Sequence, residues 1–195
     1  MSDYPFPDKT RVSGERWLKH YYFTRTAVSV VWVALAFAVG LHSMASAAVL
    51  LVIYPAWDAL ANYVDMSRSG GSRNNRTQMI NVAISAATTA AVVVALKTDT
   101  TWVLSVFGIW AVLSGLLQLA TALRRWKRFG AQWAMILSGA QSALAGFLFI
   151  ALAPAPLTLA ISKVAGYAGV GAVYFLISAV WLSAGEFRRD RARAS

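Results

Sequence analysis

Residues 101–128 read TWVLSVFGIWAVLSGLLQLATALRRWKR. From Thr101 to Leu123 no side chain is charged, and then Arg124, Arg125, Lys127 and Arg128 follow one another closely. A helix needs about 20 apolar residues to cross ~30 Å of hydrocarbon, and a basic cluster at one end marks the face on which it stops. Strands can cross lipid only as a closed barrel with alternating polarity. Runs such as Ala90 to Leu96 and Phe147 to Leu152 are apolar on every side, which excludes a barrel. The fold class is therefore all-α, a polytopic membrane protein.

Outward from this stretch, five further apolar runs can be bounded at 26–42, 44–63, 79–96, 132–153 and 157–184. With 58% hydrophobic and only 13% charged residues among 195, the chain is too apolar for a soluble domain of its size. Six spans use nearly all of it as one bundle, paired as three helical hairpins that each run out and back. The expected organisation is a cytoplasmic N-terminal segment over 1–25, a six-helix bundle over 26–184 and a basic cytoplasmic tail over 185–195. Within the first segment, Arg16, Trp17, Lys19, His20, Tyr21, Tyr22 and Phe23 mix basic and aromatic residues in the manner of an interfacial anchor. The stretch from Met1 to about Thr10, with Pro5 and Pro7, has little to bury and is expected to be loosely ordered. The first apolar run begins after Arg25 and is followed by no cleavage pattern, so it reads as a retained span.

The net charge of +10 is explained by where the charges lie. Lys9, Arg11, Arg16, Lys19 and Arg25, then Arg68, Arg73 and Arg76, then Arg124, Arg125, Lys127 and Arg128, and last Arg188, Arg189, Arg191 and Arg193 fall on one side, 16 of the 18 basic residues. Lys97 and Lys163 fall on the other. The positive-inside rule places both termini in the cytoplasm, with the basic side against anionic headgroups, and leaves no need for a nucleic-acid partner.

Little in the chain can carry covalent or metal chemistry. There is no cysteine, and His20 and His42 lie on opposite sides of the membrane. No catalytic constellation, metal site or cofactor is expected, and the protein does not read as an enzyme. Gly166–Gly171, GYAGVG, sits inside a span and reads as helix packing rather than a phosphate loop.

The second helix of each hairpin can be laid on the others. Tyr54, Trp110 and Tyr174 start a common register and Arg68, Arg124 and Arg188 end it. Asp58, Ser114 and Ser178 then become equivalent, and one turn later Asn62, Gln118 and Leu182. In the first helices, Ser85, Ala86, Thr88 and Thr89 correspond to Ser138, Gly139, Gln141 and Ser142, small and hydroxyl residues suited to close helix packing.

The run Phe107 to Arg128, followed by Gln132 to Ile150, QWAMILSGAQSALAGFLFI, resembles the HdeD-like family of small bacterial membrane proteins. These proteins are built from a short repeated unit. Trp110, Gly115, Arg124, Arg125, Trp133, Ser138, Gly139 and Gly146 carry the resemblance. It extends over roughly 100–190 and is fainter over 25–97, where Tyr54, Pro55 and Asp58 replace apolar and Gly residues. The resemblance implies a bacterial inner-membrane protein linked to acid resistance, and it carries over no catalytic or ligand residues.

Two sets of polar residues remain as candidates. Asp58, Asn62, Ser114, Gln118 and Ser178 would line a polar lumen if they converge, which would favour a small transporter or channel for protons or a small solute. If they bridge neighbouring helices in a dry bundle, a structural or partner-binding membrane subunit is favoured. An intramembrane acid is a functional candidate by default. Against this, Asp58 has Trp57 beside it and lies near the end of its run, where a side chain can reach the interface. Asn62, four residues on, is placed to hydrogen-bond it. Asp99 and Lys163 align in the repeat and form a candidate ion pair at the outer mouth, though Lys97 competes for Asp99 and the long stem of Lys163 reaches more readily to the headgroups. Homo-oligomers or association with another membrane protein would use the Gly- and Ala-rich faces.

Overall fold

The computed structural model describes residues 9–71, 75–127 and 132–194, and backbone alone for 9–12 and 192–194. Residues 1–8, Arg73 and Arg128, together with the side chains of Lys9, Arg11 and Arg193, lie outside the described part. Six long helices account for almost all of the rest: α1 (Lys9–Leu35), α2 (Met44–Arg68), α3 (Arg76–Thr98), α4 (Val103–Arg125), α5 (Gln132–Ala151) and α6 (Leu157–Ala194). Each contains a stretch long and apolar enough to cross a membrane, so this is a multi-pass membrane protein. The start of α1, the ends of α2 and α4 with their Arg68, Arg124 and Arg125, and the end of α6 share one end of the bundle, called here the basic end.

Local chemistry explains several of the boundaries. α1 closes in a π-helical turn at Ala36–Gly40, and Ser43 then caps α2, its hydroxyl accepting the Ser46 N–H at 3.2 Å. Gly70 and Gly71 take positive φ just past α2, where a side chain would be strained. Asp99 accepts the Thr101 N–H at 3.0 Å and starts the short 3-10 turn that leads into α4. Thr101 holds the Asp99 carboxyl below the usual carboxylate range, first through its hydroxyl and then through its N–H. Inside α2, Pro55 has no N–H to give to Leu51 O, and at the neighbouring Leu50 carbonyl the Trp32 indole donates at 2.9 Å.

The helices pack as close neighbours α1 with α6, α2 with α3, and α4 with α5, while consecutive α1 and α2 scarcely touch and α5 meets α6 loosely. The reason is clearest at α4 and α5. A Cβ added at Gly108 would lie 2.8 Å from Gly146 O, and one at Gly115 only 2.6 Å from Gly139 O, with reciprocal distances of 2.5 Å at Gly146 and 2.7 Å at Gly139. Four glycines spaced seven apart on antiparallel helices bring the two backbones into direct contact, and in lipid such contact replaces the hydrophobic effect as the force that joins helices. Ser142 adds a hydrogen bond to Ala111 O at 2.9 Å.

At the basic end α1 and α6 continue past the apolar core and are joined by ion pairs: Glu186 with Arg16 and Lys19, and Glu15 with Arg189 at 2.8 Å. Leu18 and Tyr22 of the aromatic segment are buried against Phe175, Ala179 and Leu182 of α6, while Phe23 is exposed. The segment expected at headgroup level thus also packs within the bundle.

Replacing Gly115 by Val forces a methyl-bearing carbon into the α5 backbone and is expected to destabilise the protein by about 1–3 kcal/mol. Gly169→Ala, at a position where a Cβ meets nothing within 4 Å, should be neutral. Reversible unfolding in detergent measures both. Equal stability of the two variants would contradict the α4–α5 packing.

Candidate functional site

The interior of the bundle holds a cavity of about 560 Å³. Its centre is built around α2. Because α2 runs to Arg68, five residues beyond the end of its apolar run at 63, Asp58 lies ten residues from the helix end, about 15 Å at 1.5 Å per residue. It is 6% exposed and turns into the bundle. Arg25 of α1 forms an ion pair with its Oδ1. The other oxygen, Oδ2, accepts the Ser85 hydroxyl at 2.8 Å, Asn62 Nδ2 at 3.0 Å and, more weakly, Asn81 Nδ2 at 3.5 Å. Ser85 in turn accepts the Trp110 indole N–H at 3.0 Å. Four helices therefore converge on one carboxylate. A buried ion pair is tolerable only when hydrogen bonds satisfy the rest of both groups. Here the guanidinium also donates to Tyr21 Oη at 3.1 Å and lies over the Phe175 ring at 4.5 Å, while its Nε is left without a protein partner.

A second buried pair lies two turns nearer the basic end. Arg125 of α4 donates to Asp65 Oδ2 at 2.9 Å, and Asp65 Oδ1 accepts the Trp17 indole N–H and the Ser69 hydroxyl, both at 3.2 Å. Beside it, Arg124 donates to Thr77 Oγ1 and Gln78 Oε1 at 3.0 and 2.8 Å, joining α4 to α3. Toward the opposite end the space is lined by rings, and it continues past Tyr167 to Ser162 and Lys163. Tyr54 lies 4.6 Å from Trp32 and 5.7 Å from Trp110, centroid to centroid, and Tyr167 lies 6.0 Å from Trp110 and 6.1 Å from Phe149. Past these rings is a dry core that includes Leu51, Val103, Leu104, Ile161 and Val164.

Of the five residues expected in a lumen, Asp58, Asn62, Ser114 and Gln118 line this cavity. Asn62 hydrogen-bonds Asp58 as its spacing suggests, donating also to Asp58 O at 2.8 Å. Ser178 does not join them: it is fully buried outside the cavity, and its hydroxyl has no partner. Asp99 and Lys163 do not pair. Asp99 is taken up by the Thr101 hydroxyl at 2.7 Å on the way into α4, whereas Lys163 borders the cavity at the end opposite the basic one.

Sequence reasoning missed Arg25, Asp65 and Arg125, which it placed at or beyond the ends of spans. A charge at the end of an apolar run looks alike whether it faces water or turns inward. The available signal was spacing: Arg25 and Trp32, like Asp58 and Asp65, are seven residues apart and so share a helix face. Four further buried polar atoms on cavity-lining residues have no protein partner, namely Arg25 Nε, Gln78 Nε2, Asn81 Oδ1 and Ser114 Oγ. Groups like these are satisfied by water or by a ligand.

The glycine-joined α4–α5 pair, together with most of α3, is also the part of the chain that comparison singles out. Residues 82–151 match the family model of a short repeat of unknown function, DUF308. The matched unit is narrower than the stretch of 100–190 expected from resemblance. It includes Ser85, Trp110, Ser114 and Gln118 but neither Asp58 nor Arg25. No curated protein and no solved structure matches the chain.

Removing one member of the central pair leaves the other charge buried and alone. Arg25→Ala or Asp58→Ala should each cost about 3–5 kcal/mol, and the double replacement Arg25→Met with Asp58→Leu should restore most of that loss. Equilibrium unfolding of the four proteins in detergent gives the comparison. Single variants as stable as the parent would mean that the pair is not the anchor of the bundle.

Proposed function

We propose that the protein is a non-enzymatic carrier for a small polar solute, residing in the bacterial inner membrane with both termini in the cytoplasm. The observation that supports this most is the convergence of Asp58, Asn62, Ser114 and Gln118 on one cavity. A bundle that only needed to hold together would leave no space beside those side chains, since an unfilled polar cavity costs stability. The cavity joins polar side chains around Asp58 to a layer of aromatic rings, which suits recognition of a small polar solute. Parallel repeats occur in such carriers. Asp58 serves here to fix four helices around the solute; proton movement would require its ion pair to open.

The physiological setting comes from resemblance. Likeness to the HdeD-like proteins, together with the match to a short repeat of unknown function, supports a role in acid or envelope stress tolerance. The arginine-rich turns suit anionic headgroups at the cytoplasmic face, and no nucleic-acid partner is invoked.

Proteoliposomes test the proposal. Exchange of small polyols, amino acids and protons is followed beside empty vesicles for the parent and for Gln118→Phe, which fills the cavity, with Gln118→Ala as a control for folding. The expected result is protein-dependent flux of at least one of these solutes, retained in Gln118→Ala and abolished in Gln118→Phe. No protein-dependent flux for any of them, or flux indifferent to Gln118→Phe, would overturn the carrier.

A further inference from the structure

We propose that the groove between α5 and α6 is a binding site for one acyl chain of an anionic phospholipid, with its headgroup held at Lys163. This does not depend on the carrier reading.

The cavity has an opening through the side of the bundle. Lys163, Gly166 and Val170 of α6 border the cavity and are at the same time exposed, as is Gln141 of α5. The two helices touch near the basic end, where Trp133 and Trp181 meet edge to face at 6.0 Å and Tyr174 donates to Gln141 Oε1 at 2.8 Å. Beyond Tyr174 the described contacts between them are made by the Tyr167 side chain, with Ser142 and Phe149. Glycine in α6 does not serve close packing as it does between α4 and α5. A Cβ at Gly166 or Gly171 would meet nothing within 4 Å, so the missing side chains leave a trench. Its floor is Tyr167, whose hydroxyl is tied to Ser142 at 2.7 Å.

Length and charge identify the occupant. From Tyr174, where the groove is closed, to Lys163 is eleven residues of α6, about 16 Å at 1.5 Å per residue. That is close to half of the ~30 Å hydrocarbon core, the depth of one leaflet and the reach of one acyl chain. A partner helix would need a seam running the full depth, and the Tyr174–Gln141 contact interrupts it. Lys163 lies six residues from the start of α6, with a long stem that brings its ammonium to headgroup level. Among the described residues no carboxylate pairs with it, Asp99 being engaged by Thr101. An open trench of leaflet depth beneath an unpaired cation matches a lipid with an acidic head.

The test is native mass spectrometry of the purified full chain in detergent, titrated with phosphatidylglycerol or phosphatidylcholine. The parent should retain one phosphatidylglycerol with about a fivefold preference over phosphatidylcholine, the factor that one basic residue contributes near an anionic headgroup. Lys163→Gln should lose the preference while still binding. Gly166→Leu and Gly171→Leu should lose the bound lipid, whereas Gly169→Leu, with equal room but outside the cavity lining, should keep it. Equal retention of both lipids by the parent, or the same behaviour in all three leucine variants, overturns the site. So does a dimer mass in place of the lipid adduct that Gly166→Leu abolishes.

Discussion

A carboxylate can remain in the middle of a lipid-spanning bundle only if its charge is matched and its lone pairs are filled, and the arrangement around Asp58 meets both conditions. Arg25 supplies the charge, and Ser85, Asn62 and Asn81 supply the donors. Those partners come from α1, α2 and α3, and α4 joins through Trp110 and Ser85. The placement of four helices is thereby tied to one side chain. The polar residues gathered for that purpose leave the bundle with a polar interior on the basic side, and the aromatic layer at Tyr54 and Trp110 separates it from a dry core on the other.

Two kinds of adhesion share the work. α4 and α5 meet backbone to backbone through Gly108, Gly115, Gly139 and Gly146. α1, α2 and α3 meet instead through ionic and hydrogen-bonded groups, with α1 tied to α6 at the basic end by Glu186 and Glu15. The unit with the glycine contact is the one matched as a short repeat, whereas the remainder substitutes polar chemistry for small residues. In the second helices Asp58 stands where Ser114 stands in the matched unit. An ion pair therefore occupies in one part of the bundle the level that a lone hydroxyl occupies in another.

Much of this was legible in the sequence. The six runs and their basic flanks give the spans, and the register of Tyr54 with Trp110 groups Asp58, Ser114, Asn62 and Gln118, which all line one cavity. It fails at Ser178, where Leu182 had already broken the polar pattern one turn on and the hydroxyl is enclosed by packing. The larger omission was Arg25, read as a flanking cation because the apolar run begins one residue later. Hydropathy locates where a run stops being apolar but not whether the next charge turns toward water or toward an acid on another helix. Asp65 and Arg125 were hidden for the same reason, since their pairing joins residues sixty apart in sequence and has no local signature.

The central claim is that the interior around Asp58 is a polar chamber that admits water. The chain contains no cysteine, so single cysteines can be introduced without altering a background. Labelling of Ser114→Cys and Gln118→Cys by a charged, membrane-impermeant thiol reagent, with Ile109→Cys and Leu113→Cys on the lipid-facing surface as references, measures access directly. The two cavity positions should react with the reagent and the two lipid-facing ones should not. Cavity cysteines as unreactive as the lipid-facing pair would contradict it.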